Sequence, residues 1–202
     1  FPNQYFYEST LDILPEGIPD RLRQTINLPM DLPGFQASLD KRLLMQRLLF
    51  LPTPIDGPPL KTNRHEAWMV VQLVKSIQRI YAATGRQLQA GSLGIITPYR
   101  AQIAEIKAAL QKQELYDEQL YTIDTVERYQ GGARDIIILS LCTNSIVQLE
   151  SLVSLSEEGV DRKLNVALTR AREQVIIIGN EELLQSDPVY RSLLEHCDDG
   201  ER

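Results

Sequence analysis

Residues 136–141, IIILSL, and residues 175–178, VIII, decide the fold. Neither run alternates apolar with polar positions, so each reads as a strand buried on both faces, which is the pattern of a parallel sheet covered by helices. Working outward, an apolar run at Leu93–Ile96 precedes a helical pattern with Ile103, Ile106 and Leu110 on one face, and a strand-like stretch follows at 121–126. A helix is expected from about Arg162 and a last one from Glu181. Upstream, Asn63 and Glu66 have capping-box spacing, Ala67, Val70, Val71, Val74, Ile77 and Tyr81 recur at helical spacing, and Gly85 is placed to end that helix. Strands alternating with helices define an α/β domain.

Nine of the eleven prolines fall within the first 59 residues. Proline removes a donor and fixes φ, so residues 1–60 read as a largely extended or irregular lead-in packed on the domain. One helix is expected there around 38–48 and one strand near 48–51. Residues 61–202 form the regular domain, closing in an acidic helix and tail.

The chain has 202 residues, 43% apolar and 24% charged, enough to bury a core without disulfides or a structural metal. Its two cysteines, Cys142 and Cys197, lack C-x-x-C spacing and have only His65 and His196 as companions, which argues against zinc and for a reducing cytoplasm. No stretch approaches the roughly 20 apolar residues that span a bilayer. A soluble, intracellular protein without a membrane partner is expected. The net charge is −6, but residues 181–202 hold seven acids and two bases, leaving 19 bases against 20 acids elsewhere. A nearly neutral body cannot bind nucleic acid by bulk charge; any such contact must come from a few placed groups.

Ligands of open parallel sheets gather at the carboxyl ends of strands. Three segments are read there. In GIITPYRAQ (94–102), Thr97 is expected to cap the next helix with Pro98 at its first position, leaving backbone N–H groups for an anion; an ordinary capped helix start explains the same residues. In TIDTVERYQGGARD (122–135), Gly131 and Gly132 allow close backbone approach, and Thr125, Glu127, Arg128 and Gln130 crowd one strand end; a plain turn also explains the glycines. In DRKLNVALTRAREQ (161–174), Asp161 is an expected N-cap and Leu164, Ala167, Leu168 and Ala171 the buried stripe. A continuous helix there would put Arg162, Asn165, Thr169 and Arg172 on one side and Arg170 on another. Its guanidinium groups suit phosphate, although a solvated basic face has the same composition.

Several chemistries are absent from the sequence. There is no G-x-x-x-x-G-K-[ST] phosphate loop, no G-x-S-x-G elbow, and no aspartate within a short distance upstream of Glu105 to complete a nuclease-like carboxylate cluster. Asp117 and Glu118 follow KQELY, which is no buried strand, and read as a surface loop.

Taken in order, these segments resemble the second RecA-like domain of superfamily 1 helicases, in the group that contains the nonsense-mediated-decay helicase and the replication and repair helicase-nucleases. GIITPYRAQ resembles their motif IV, TVERYQGGARDIIILS motif V, and LNVALTRAREQVIIIGN motif VI. FPNQYFYESTL resembles the segment after QYRMHP, and KTNRHEA the N-x-x-E-A helix start before motif IV. The resemblance implies a RecA-like α/β fold without its own phosphate loop, belonging to a longer protein whose first RecA-like domain holds most of the ATP and magnesium site. It implies Arg170 as the arginine finger, Gln130 and Gly131 with Arg170 as nucleotide-binding, and Thr97, Pro98, Tyr99, Thr125 and Val126 as contacts to single-stranded DNA or RNA; no metal ligand is implied in this chain. The isolated domain is then expected to be inactive. The family usually has Gln-Gly-Arg-Glu where this chain has Gln130-Gly131-Gly132-Ala133, and Glu127 stands where aspartate is common. The alternative is a degenerate, non-catalytic RecA-like interaction module.

Overall fold

The computed structural model describes residues 38–58, 60–129, 132–153 and 161–198. Strands β1 (Leu48–Pro52), β2 (Leu93–Ile96), β3 (Tyr121–Asp124), β4 (Arg134–Ser140) and β5 (Ala171–Gly179) form one sheet, ordered β1-β5-β4-β2-β3. Every neighbouring pair is parallel. The helices are α1 (Ser38–Met45), α2 (Arg64–Ala83), α3 (Arg100–Lys112), α4 (Ile146–Leu152), α5 (Arg162–Leu168), α6 (Glu181–Leu184) and α7 (Pro188–Asp198).

The sheet separates two cores, and successive residues of one strand enter different ones. Ile136 and Ile138 of β4 join Leu93, Ile95 and Ile176 beneath α1, α2 and α3. Ile137 and Leu139 join Val175 and Ile177 beneath α4, α5 and α7. This two-sided burial is why the IIIL run carries no polar position, each buried side chain contributing about 1.5–3 kcal/mol. β1, inside the proline-rich lead-in, is the edge strand beside β5.

Asn63 caps α2 by accepting from the Glu66 N–H at 3.0 Å. Gly85 closes it at φ +69, with Gly85 N bonded to Ala82 O and Arg86 N to Tyr81 O, the double bond pattern of a left-handed cap.

Three expectations change. The Thr97 backbone N–H is still bonded to Asp124 O at 3.2 Å, prolonging the sheet, so Thr97 and Pro98 lie outside α3 and its N-cap is Tyr99, which makes no side-chain cap bond. The strand at Tyr121 ends at Asp124, and residues Val126–Tyr129 form a 3-10 turn. The last helix is two, because Asp187 caps a new start at Pro188 by accepting from Val189 and Tyr190 N–H.

Candidate functional site

At the carboxyl ends of β2 and β3, Thr97, Pro98, Tyr99, Thr125 and Val126 lie side by side, tied by the Thr97–Asp124 backbone bond. Lys61 Nζ sits 5.7 Å from the centre of the Tyr99 ring. Thr97 is 1% exposed and its hydroxyl has no partner among the described residues. It lines, with Pro98, Val126, Glu127, Lys163 and Tyr190, a narrow cavity of about 40 Å³. What solvent reaches at this edge is therefore Pro98, Tyr99, Thr125 and Val126, not the Thr97 hydroxyl.

From this edge the chain must return to the amino end of β4, because β3 and β4 run parallel. The return is short. Thr125 O accepts from Arg128 and Tyr129 N–H, and the buried Tyr129 donates its hydroxyl to Thr122 O. Burial pushes that phenol up to about 12. Gly94 makes room for it, since a Cβ there would stand 2.7 Å from the Tyr129 hydroxyl and 2.8 Å from Ile137 Cδ1. Glu127 faces Lys163 of α5 at 3.3 Å, and a bond from its own backbone N–H, with others from Thr125 and Lys163, holds its carboxyl below the usual range. Gln130 and Gly131 lie outside the described residues.

The return ends beside Arg170, whose carbonyl accepts from Arg134 N at 2.9 Å. Sheet pairing at residue 170 stops α5 at Leu168, so the continuous helix expected through Arg172 does not form, and the wheel that separated the two arginines does not apply. Asp161 does cap α5, accepting from Lys163 and Leu164 N–H at 3.1 Å. The arginines part for another reason. β5 places two residues, Arg172 and Glu173, between Ala171 and Gln174, where β4 places one, Asp135, between Arg134 and Ile136, and such a bulge re-aims side chains. Arg172 pairs with Asp135 at 3.1 Å and Glu173 with Arg86 at 3.0 Å. Arg170 makes one weak bond, Nε to Val166 O at 3.4 Å, leaving its terminal nitrogens unbonded among the described residues. Arg170 thus stands at the amino edge of the sheet, opposite the carboxyl edge where ligands were expected to gather.

A buried polar network went unread in the sequence. Glu66, with the capping-box position, does not bond back to Asn63 N; Gln102 Oε1 takes that N–H at 2.7 Å. The fully buried Glu66 carboxylate instead accepts from Ser140 Oγ at 2.7 Å and from Cys142 N at 2.9 Å. Burial raises it to about 7 against those bonds. Gln102 Nε2 donates to Ser140 Oγ and to Asn63 O, and Asn63 Nδ2 donates to Asn144 Oδ1 and Pro54 O. Loops after β1, β2 and β4 are joined through this one cluster. The spacing of Asn63 and Glu66 was visible; its partners, 74 and 76 residues away, were not.

Among the described residues no group of three or more His, Cys, Asp or Glu could hold a metal ion, and no helix is long and apolar enough to cross a membrane. Both cysteines are buried and neither is in a disulfide.

Residues 1–182 match a family described as AAA domain. The chain is 40% identical over 109 residues to Regulator of nonsense transcripts 1 of Dictyostelium discoideum, covering 52% of this chain and 8% of that protein. It is 32% identical over 146 residues to the probable RNA helicase armi of Drosophila melanogaster, covering 71% and 12%. A Regulator of nonsense transcripts 1 homolog from Arabidopsis thaliana is 31% identical over 206 residues, covering all of this chain and 15% of that protein. The chain therefore spans less than a fifth of the length of these relatives.

Proposed function

The chain belongs to this AAA domain family, and on that premise we propose that it is the second RecA-like domain of a superfamily 1 helicase, the half of an ATP-driven nucleic-acid motor that supplies the arginine finger and part of the single-strand track. The observation that carries this reading is the contrast at the amino edge of β5: Arg172 is committed to Asp135, whereas the Arg170 fork is unbonded beside the 132–134 turn. An unbonded guanidinium fork next to a glycine turn fits a phosphate.

ATP with magnesium supplies the phosphoryl group, and the first RecA-like domain of the same protein would hold most of both. Within this chain, Arg170 would stabilise charge on the transferring phosphoryl oxygens, while Gln130 and Gly131 would approach the nucleotide by side-chain amide and bare backbone. Pro98, Tyr99, Thr125 and Val126 would contact the backbone of single-stranded DNA or RNA, with the buried Thr97 holding the edge in shape. The segment 125–134 would couple the two, because its ends lie at opposite edges of the sheet and Tyr129 pins its middle. Working alone, the domain would not turn over ATP. The setting would be intracellular.

The test is strand-stimulated ATP hydrolysis by the full-length protein. Arg170→Ala should lower turnover by about 10³–10⁵ with ATP binding retained; near-normal hydrolysis in that variant would overturn the assignment. Ala133, which has no polar group where the family has glutamate, favours the second reading of a non-catalytic interaction module. Absence of hydrolysis in the wild-type full-length protein would decide for it.

A further inference from the structure

We propose that Glu66 is a positioning residue for the single-strand track: its carboxylate holds the turn after β4 in a left-handed conformation at Cys142 and, through Ser140 and Gln102, locks that turn to the segment bearing Thr97 and Tyr99. This rests on the strand-binding reading above.

Cys142 has φ +49, a conformation disfavoured for an L side chain and persistent only where its surroundings impose it. The buried carboxylate is placed to impose it, receiving the Cys142 N–H on both oxygens, at 2.9 and 3.1 Å. Both oxygens of the carboxyl group are acceptors when it is ionised, and one remains an acceptor when it is protonated. Ser140 donates to the same carboxylate and accepts from Gln102, which reaches in from the first turn of α3, just after Tyr99. On the far side of the turn, Asn144 accepts from Asn63 and from the Asp56 N–H and donates to Leu60 and Thr62 carbonyls. Three loops at the carboxyl edge thus share one anchor. The turn it holds carries Thr143, whose buried hydroxyl, like that of Thr97, has no partner among the described residues. Glu66 itself is wholly buried and has no surface to offer a nucleic acid, so its effect must pass through loop geometry.

The experiment measures binding of labelled oligo-dT and oligo-U to the full-length protein carrying Glu66→Gln, Cys142→Gly, both, or Tyr99→Ala. Glu66→Gln keeps the size but turns an amide N–H towards donors; it should weaken binding about tenfold. Cys142→Gly alone should bind nearly as the wild type. In the double variant the glycine adopts the turn without help, and affinity should return to within about threefold of wild type. A merely stabilising glutamate would show no such rescue. Should Glu66→Gln misfold, Ser140→Ala, which removes one of the carboxylate's donors, must show a smaller loss in the same direction. Unchanged affinity in Glu66→Gln, or no rescue by the glycine, overturns the proposal. If Tyr99→Ala weakens binding while Glu66→Gln does not, only the positioning role falls. If the wild-type protein binds neither oligonucleotide, the track itself falls, and the proposal with it.

Discussion

Glu66 and Arg172 show how much a residue's surroundings decide what its charge does. The Glu66 carboxyl is raised from 4.5 to about 7, chiefly by burial, against the bonds from Ser140 and Cys142. A pKa raised in the folded state contributes stability that is full below the unfolded value and is lost as pH rises through the folded one. The loss between about pH 4.5 and about 7 should amount to about 3 kcal/mol, and Glu66→Gln should flatten that slope in urea unfolding followed across the interval. Equal slopes in the two proteins would show that Glu66 does not titrate there. Arg172, 43% exposed in its pair with Asp135, is a screened ion pair. Arg172→Ala should cost less than about 1 kcal/mol and leave hydrolysis close to wild type, in contrast to Arg170→Ala. Loss of turnover in Arg172→Ala alone would reverse the two roles.

Among the elements, the passage from β3 to β4 is the most constrained. It must cross from one edge of the sheet to the other within residues 125–133, and it does so by seating Tyr129 over Gly94. Gly94→Ala would press a Cβ to 2.7 Å from the Tyr129 hydroxyl and 3.0 Å from Arg134 Cγ. Overpacking of this kind costs about 1–3 kcal/mol. The expected outcome is that loss in chemical denaturation, together with weaker stimulation of hydrolysis by single strands, because the displaced tyrosine carries the return segment with it. A variant as stable and as strongly stimulated as the wild type would show that the seat has slack and the segment couples nothing.

At the scale of the whole molecule, the surplus negative charge lies in the last 22 residues, away from the proposed track in sequence. The carboxyl edge has few cations to offer, Lys61 beside the Tyr99 ring and Arg100 opening α3 being two of them. Each phosphate contact on a single strand contributes about 0.7 to the slope of log affinity against log salt. Replacing Lys61 and Arg100 by alanine in the full-length protein should therefore reduce the slope by about 1.4, equally for all sequences. An unchanged slope would place the track elsewhere.

The α/β class was legible because burial on both faces of a strand removes the polar alternation, and IIILSL and VIII state that directly. The capping of α2 by Asn63, its end at Gly85 and the capping of α5 by Asp161 were legible for a similar reason: each rests on atoms within a few residues of one another. What lay beyond the sequence depends on distant partners. Thr97 does not cap α3 because its N–H is taken by Asp124, and α5 stops at Leu168 because residue 170 is already bonded to Arg134. Glu66 leaves its capping box for Ser140 and Cys142, and Arg170 and Thr97 come to lie at opposite edges of the sheet. Local hydrogen bonds and hydrophobic period are written in short stretches of chain, so the sequence alone determined the five strands, the longer helices and two of their caps, but not the short helix at Ile146–Leu152. Pairing across the sheet couples residues tens of positions apart, and only the tertiary structure decided where each helix begins and ends, which arginine keeps an unbonded fork, and which loops share one buried carboxylate.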